Sequence, residues 1–94
     1  MYTQCHLCKL FSNGVRIEIL LLLRTRPYTV SELIRKTALS QSALSQHLAV
    51  MRKLGIVAVD HKGKWVSYSL KYPEVMKAYD IMKEVMKKLH TKSI

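Results

Sequence analysis

At Gly55 the apolar spacing of this 94-residue chain switches from the period of a helix to that of a strand, and this junction limits the fold more than any other feature. Before it, Leu44, Leu48, Met51 and Leu54 fall at the i, i+4, i+7 spacing of a buried helical stripe. After it, Ile56-Val57-Ala58-Val59 begins a β-branched run, Lys62-Gly63 is a hairpin turn signal, and Lys64 to Leu70 returns with strict alternation. A helix closed by a glycine therefore feeds a two-stranded hairpin with a basic tip.

Upstream, Leu7, Leu10 and Phe11, and then Val15, Ile17 and the run Ile19-Leu20-Leu21-Leu22-Leu23, read as two helical segments broken at Ser12-Asn13-Gly14. The second is apolar nearly all round and is expected to be the central buried helix. Pro27 ends it and biases Arg26 towards extended backbone. Tyr28-Thr29-Val30 is a short β-prone link, after which Ser31 is expected to cap a helix carrying Glu32 in its first turn and stopping near Ala38-Leu39. Ser40-Gln41-Ser42 opens the next helix. Pro73-Glu74 is expected to start the last one, whose apolar positions Val75, Tyr79, Met82, Val85 or Met86 and Leu89 advance almost as a heptad seam. About two heptads are too few to stand alone, so this helix must pack on the N-terminal helix or on a second copy.

The length predicts one domain, residues 1–94, and a chain this small buries only about 60 to 65% of its unfolded surface, which favours pairing with another copy. With 49% apolar and 23% charged residues it is a folding chain. Sixteen basic residues against six acidic ones give a formal +10, which points to a polyanionic partner. The longest apolar run, Val15 to Leu23, is interrupted by Arg16 and Glu18 and is about half the ~20 residues that span a bilayer, so no membrane partner is expected. Two close cysteines and no recognisable signal peptide imply a cytoplasmic protein. No phosphate-binding glycine loop, paired carboxylates or Ser-His-Asp arrangement argues for an enzyme, and no small-molecule substrate or cofactor is expected.

Helix, helix, short strand, short helix, tight turn, helix, hairpin, helix is the order of a winged helix-turn-helix. The runs LSQSALSQHLAVMRKLGIV (Leu39 to Val57) and HKGKWVSYSL (His61 to Leu70) resemble the arsenical-resistance (ArsR/SmtB) repressor family, with Ser42, Ser45, His47, Leu48, Met51, Gly55, Ile56 and Val57 in the places of its recognition-helix pattern. NGVRIEILLLL, with Arg16 ahead of Ile19-Leu20, is similar to its segment before the turn. The resemblance implies a mainly α fold with a small β-hairpin wing, helix-turn-helix at 31–54 and wing at 56–70. It also implies dimerisation through helices at 1–12 and 74–90, using Leu7, Leu10, Phe11, Val75, Tyr79, Met82, Met86 and Leu89. The implied function is a homodimeric regulator, most often a repressor, binding an inverted-repeat operator in double-stranded DNA. The alternative is an architectural winged-helix protein that binds DNA or RNA without sequence choice.

The face of helix 41–54 opposite its apolar stripe carries Ser42, Gln46, Ala49 and Lys53, with Ser45 on the shoulder and no acid. Such a helix suits the major groove, where Gln46 is the best base reader because its amide pairs with both edge atoms of adenine, and Ser42 and Ser45 read or position more weakly. Ser40, Gln41 and the helix-start amides suit phosphate oxygens, Lys62 and Lys64 at the wing tip 61–64 reach phosphates or the minor groove, and Lys36, Arg52 and Lys53 follow the backbone. His47, about 60° from the buried stripe, is read as a half-buried structural histidine. Trp65 is read as wing packing, and Arg16 as the partner of an acid or a backbone carbonyl.

Members of the resembled family commonly release DNA on binding a metal or an oxidant. Its Cys-pair metal motif is absent from Ser31 to Lys36, and Asp80, Glu84 and His90 do not match its last-helix metal site. Cys5-His6-Leu7-Cys8 leaves three readings: inert thiols, a disulfide or redox switch, or a metal ligand pair.

Overall fold

Asn13 interrupts the N-terminal helical run because it caps the second of the two segments. In the computed structural model, which describes residues 8–92, α1 spans Cys8–Phe11 and α2 spans Gly14–Thr25. The Asn13 Oδ1 accepts the N–H groups of Val15 at 2.9 Å and Arg16 at 3.1 Å, satisfying two donors that a helix start leaves open. Ile19, Leu20 and Leu23 of α2 are buried. Its outer side is not: Leu21 keeps 38% of its surface. The helix is central as expected, packing against α1, α3, β3 and α5, but its burial is confined to one stripe rather than extending round the whole apolar surface.

Past Pro27 the chain is extended as β1 (Tyr28–Thr29) and turns at once into α3 (Val30–Thr37). The cap is Thr29, not the expected Ser31. The Thr29 hydroxyl accepts the Glu32 N–H at 3.2 Å while Glu32 Oε1 accepts the Thr29 N–H at 2.9 Å. Only Thr29 has the glutamate three residues on that completes this reciprocal pair. α3 stops at Ala38, which adopts a left-handed φ of 58° and donates its N–H to the Ile34 carbonyl at 2.9 Å. Ser40 then caps α4 (Gln41–Lys53), and Gly55, at φ 77°, closes it.

The hairpin consists of β2 (Val57–Lys62) and β3 (Trp65–Leu70). Lys62 pairs with Trp65, so the two-residue turn is Gly63-Lys64, one position later than the Lys62-Gly63 signal suggested; Gly63 takes the positive φ of 61° that the turn requires. β1 adds to the other side of β3 through Tyr28 opposite Tyr68 and Thr29 opposite Ser67, giving an antiparallel sheet in the order β1-β3-β2. The sequence showed a β-prone link there, and its place in the sheet is set by this tertiary pairing. Val57, Val59, Tyr68 and Leu70 face the core, which they share with Leu33 of α3 and Leu44, Leu48 and Met51 of α4.

The last helix, α5, spans Val75–Lys92. Pro73 and Glu74 lie outside it in a turn, with the Val75 and Met76 N–H groups donating to the Tyr72 and Pro73 carbonyls at 3.0 Å; the three-residue spacing of these bonds delays the start by two positions. Val75 and Met76 are buried, Tyr79 stacks on Phe11 with ring centroids 6.0 Å apart, and from Ile81 to His90 every residue is exposed. Leu10 and Val75, expected at a dimer contact, are instead enclosed in the chain's own core: Leu10 because α1 packs on α2, Val75 because the first turn of the α5 seam docks on the body. Leu7 lies outside the described residues.

Candidate nucleic-acid interface

The stripe that buries α4 also fixes what it exposes. With Leu44, Leu48 and Met51 inward, Gln41, Ser42, Ser45, Gln46, Ala49, Arg52 and Lys53 all face solvent. Ser40 uses its Oγ to accept the Ala43 N–H at 3.1 Å, which leaves its hydroxyl proton available to donate. His47 is half-buried and its Nδ1 is enclosed with no hydrogen-bond partner among the described residues.

Across the N-terminal end of α4 lies the wing. A cleft of about 340 Å³ is lined by Thr29, Ser31, Gln41, Lys64 and Trp65. It brings the start of the candidate recognition helix, the start of α3 and the wing tip onto one surface. Trp65 is 57% exposed, with the Lys64 ammonium 5.8 Å from its ring centroid. Trp65 pairs opposite Lys62 at the end of the ladder and contacts the wing through Lys64, leaving more than half of its surface open. Lys62 is open to solvent apart from a 3.9 Å contact with exposed Asp60, a pair that water screens.

Two cleft residues, Thr29 and Ser31, were missed from sequence as site residues. The signal was the T-x-x-E box, which places Thr29 at a helix start. Lys53 is not part of this cleft. It sits about 18 Å along the helix from Gln41 by the 1.5 Å rise and lines a second cavity with Lys9, Arg16, Val50 and Leu54.

Two of the chain's acids are held in hydrogen-bonded pairs. Glu32 is held below the usual carboxylate range by the Thr29 backbone N–H and then by Arg26. Asp80 is held low by its hydrogen bonds to Arg24, whose own value is raised in return. The charged residues of α4 are all basic, and at the wing tip Lys62 and Lys64 outnumber the neighbouring Asp60, the polarity that attracts a polyanion. Among the described residues no group of three or more His, Cys, Asp and Glu is placed to hold a metal, and there is no free cysteine; Cys5 and His6 lie outside them. No described helix is long and apolar enough to cross a membrane.

Residues 13–59 match the family described as "Bacterial regulatory protein, arsR family". The chain is 38% identical over 76 residues to the transcriptional activator HlyU of Vibrio cholerae, covering 81% of this chain and 70% of that protein. The crystal structure of Mycobacterium tuberculosis Rv0081 superposes with a TM-score of 0.81 at 32% identity, over 89% of this chain and 85% of that one. The transcriptional repressor BigR from Xylella fastidiosa superposes with a TM-score of 0.77 at 28% identity, over 85% and 82% of the two chains.

Proposed function

Since the chain belongs to the ArsR family of bacterial transcriptional regulators, we propose that it is a homodimeric, sequence-specific DNA-binding regulator that reads an inverted-repeat operator with α4 and the wing. The observation that carries this reading is the shared cleft of Gln41, Lys64 and Trp65. It aligns a helix start, whose amides favour phosphate, with a basic hairpin tip at the flank of an acid-free polar helix face. In this reading Gln46 reads a base edge, Ser42 and Ser45 assist it, and Ser40, Gln41, Lys62 and Lys64 hold phosphates, with Lys36, Arg52 and Lys53 along the backbone.

The second copy is proposed for the projecting part of α5. Met82, Met86 and Leu89 are exposed there, Leu89 at 63%, and contiguous exposed apolar surface of this kind marks an interaction site. A two-fold dimer matches an inverted repeat with half-sites about one helical turn, roughly 34 to 36 Å, apart. Repression, the role named for BigR, is the direction we propose; the activator role named for HlyU makes a reporter assay the deciding measurement. No resident cofactor is proposed. For the Cys5 and Cys8 pair we propose a dithiol–disulfide couple, supported by the absence of a free cysteine among the described residues.

Selection from a random duplex library at near-physiological salt tests the reading. Enrichment of an inverted repeat, with affinity that falls as salt rises, is expected. Binding without enrichment would mean an architectural protein.

A further inference from the structure

A cavity of about 620 Å³ lies between the N-terminal helices and the C-terminal half of α4, lined by Lys9, Arg16, Val50, Lys53 and Leu54. Its volume falls in the range of small-molecule sites. Three of these five residues are cations, and none of the three enters an ion pair among the described residues. Arg16 is the sharpest of them. It occupies the first turn of α2, where an acid is favoured and none is present. Its Nη1 donates to the Lys9 carbonyl at 2.9 Å, but its Nε is enclosed and has no acceptor among the described residues. A buried charged donor left unmet is costly, so an added acceptor at this position is favoured. The remaining walls, Val50 and Leu54, are apolar.

We propose that this cavity binds a small organic anion: a carboxylate head held by Arg16, Lys9 and Lys53, and an apolar body against Val50 and Leu54. A DNA backbone phosphate supplies the charge but has nothing to place on the apolar walls. Because Val50 and Lys53 belong to α4 and Arg16 to α2, an occupant touches both the candidate recognition helix and its support. Ligand affinity and DNA affinity are then linked reciprocally if the occupant prefers one seating of α4.

The test needs no DNA. Octanoate is titrated into the full chain, followed by calorimetry and by amide chemical shifts, with octanol supplying the tail without charge and inorganic phosphate the charge without tail. Saturable octanoate binding is expected, with shifts centred on Lys9, Arg16 and Val50 to Leu54, and much weaker binding of the other two. Arg16→Lys keeps the charge but removes the Nε donor and is expected to weaken binding by about tenfold. Lys53→Gln, at an exposed position that cannot unfold the chain, should weaken it by roughly threefold. The proposal is overturned if octanoate does not saturate, if octanol binds equally well, if the shifts fall on the exposed face of α5, or if Lys53→Gln binds like the parent. Loss of DNA affinity in Lys53→Gln without any octanoate binding would assign the cavity to a backbone phosphate; that also overturns the proposal and leaves the DNA-binding reading standing.

Discussion

Arg24 and Asp80, 56 positions apart, form a two-pronged hydrogen-bonded ion pair that fastens α5 to α2. Both side chains are partly exposed, at 39% and 46%, so the pair acts more by fixing direction than by adding stability. It lies beside Tyr79, just before α5 leaves the body, and so sets the angle at which the exposed part of the helix projects.

Asp80→Asn is expected to loosen that angle. Amide exchange in α5 should rise while the protection of α2 and α4 holds. The pH dependence has a definite sign. Asp80 is depressed in the folded chain, so its contribution is present above the ordinary carboxylate pKa and is lost as pH falls through the lower folded value. The acid-side loss of α5 protection should therefore disappear in Asp80→Asn; if it persists unchanged, another group controls it.

Removing the cap of α3 should be felt throughout the helix-turn-helix. Thr29→Ala is expected to cost about 1 kcal/mol, a drop in Tm of about 4 to 8 °C for a domain of this size, with Thr29→Ser close to the parent. Ser31→Ala should leave Tm unchanged, because Ser31 is an exposed residue inside the helix. Scanning calorimetry at one protein concentration distinguishes the two positions.

Base readers and phosphate holders should separate in binding assays. Gln46→Ala is expected to relax preference at one operator position at a cost of about 1 to 3 kcal/mol, whereas Lys62→Ala should weaken all sequences alike and lower the salt slope by about one. Identical behaviour of the two mutants would refute the division of roles.

Trp65 is the chain's single tryptophan, so its emission reports on the wing alone. DNA binding should shift that emission, and Trp65→Ala should reduce affinity while changing stability by no more than about 0.5 kcal/mol, as for an exposed side chain. A large loss of Tm would assign Trp65 a mainly structural, wing-packing role instead.

Charge on the projecting helix should separate the copies. Leu89→Glu is expected to give a folded monomer by sedimentation, with unchanged circular dichroism, since Leu89 touches none of the core. A parent chain that is already monomeric would refute the proposed pairing.

The legible parts of this fold are those that depend on spacing. Leu44, Leu48 and Met51 announced both the buried stripe of α4 and its polar opposite face, and Gly55 announced its end. The capping residue of α3 was obscured because Thr29 and Ser31 are both good caps, and only the reciprocal bond to Glu32 separates them. The heptad-like seam of α5 identified residues on one face, but not that Val75 would be buried by its own chain and Leu89 left mostly exposed. The cation-lined cavity was illegible for a stronger reason: Lys9, Arg16 and Lys53 come from three helices and meet only through tertiary packing.

Ala38, at the corner between α3 and α4, holds a left-handed backbone that costs a residue with a Cβ roughly 1 to 2 kcal/mol relative to its right-handed state. A glycine would relieve the strain but also open the corner to many more conformations. By keeping alanine, the chain accepts a less stable turn in exchange for a stiff one. The angle between the two helices is then settled before any encounter with DNA, and little orientational freedom remains to be lost on docking.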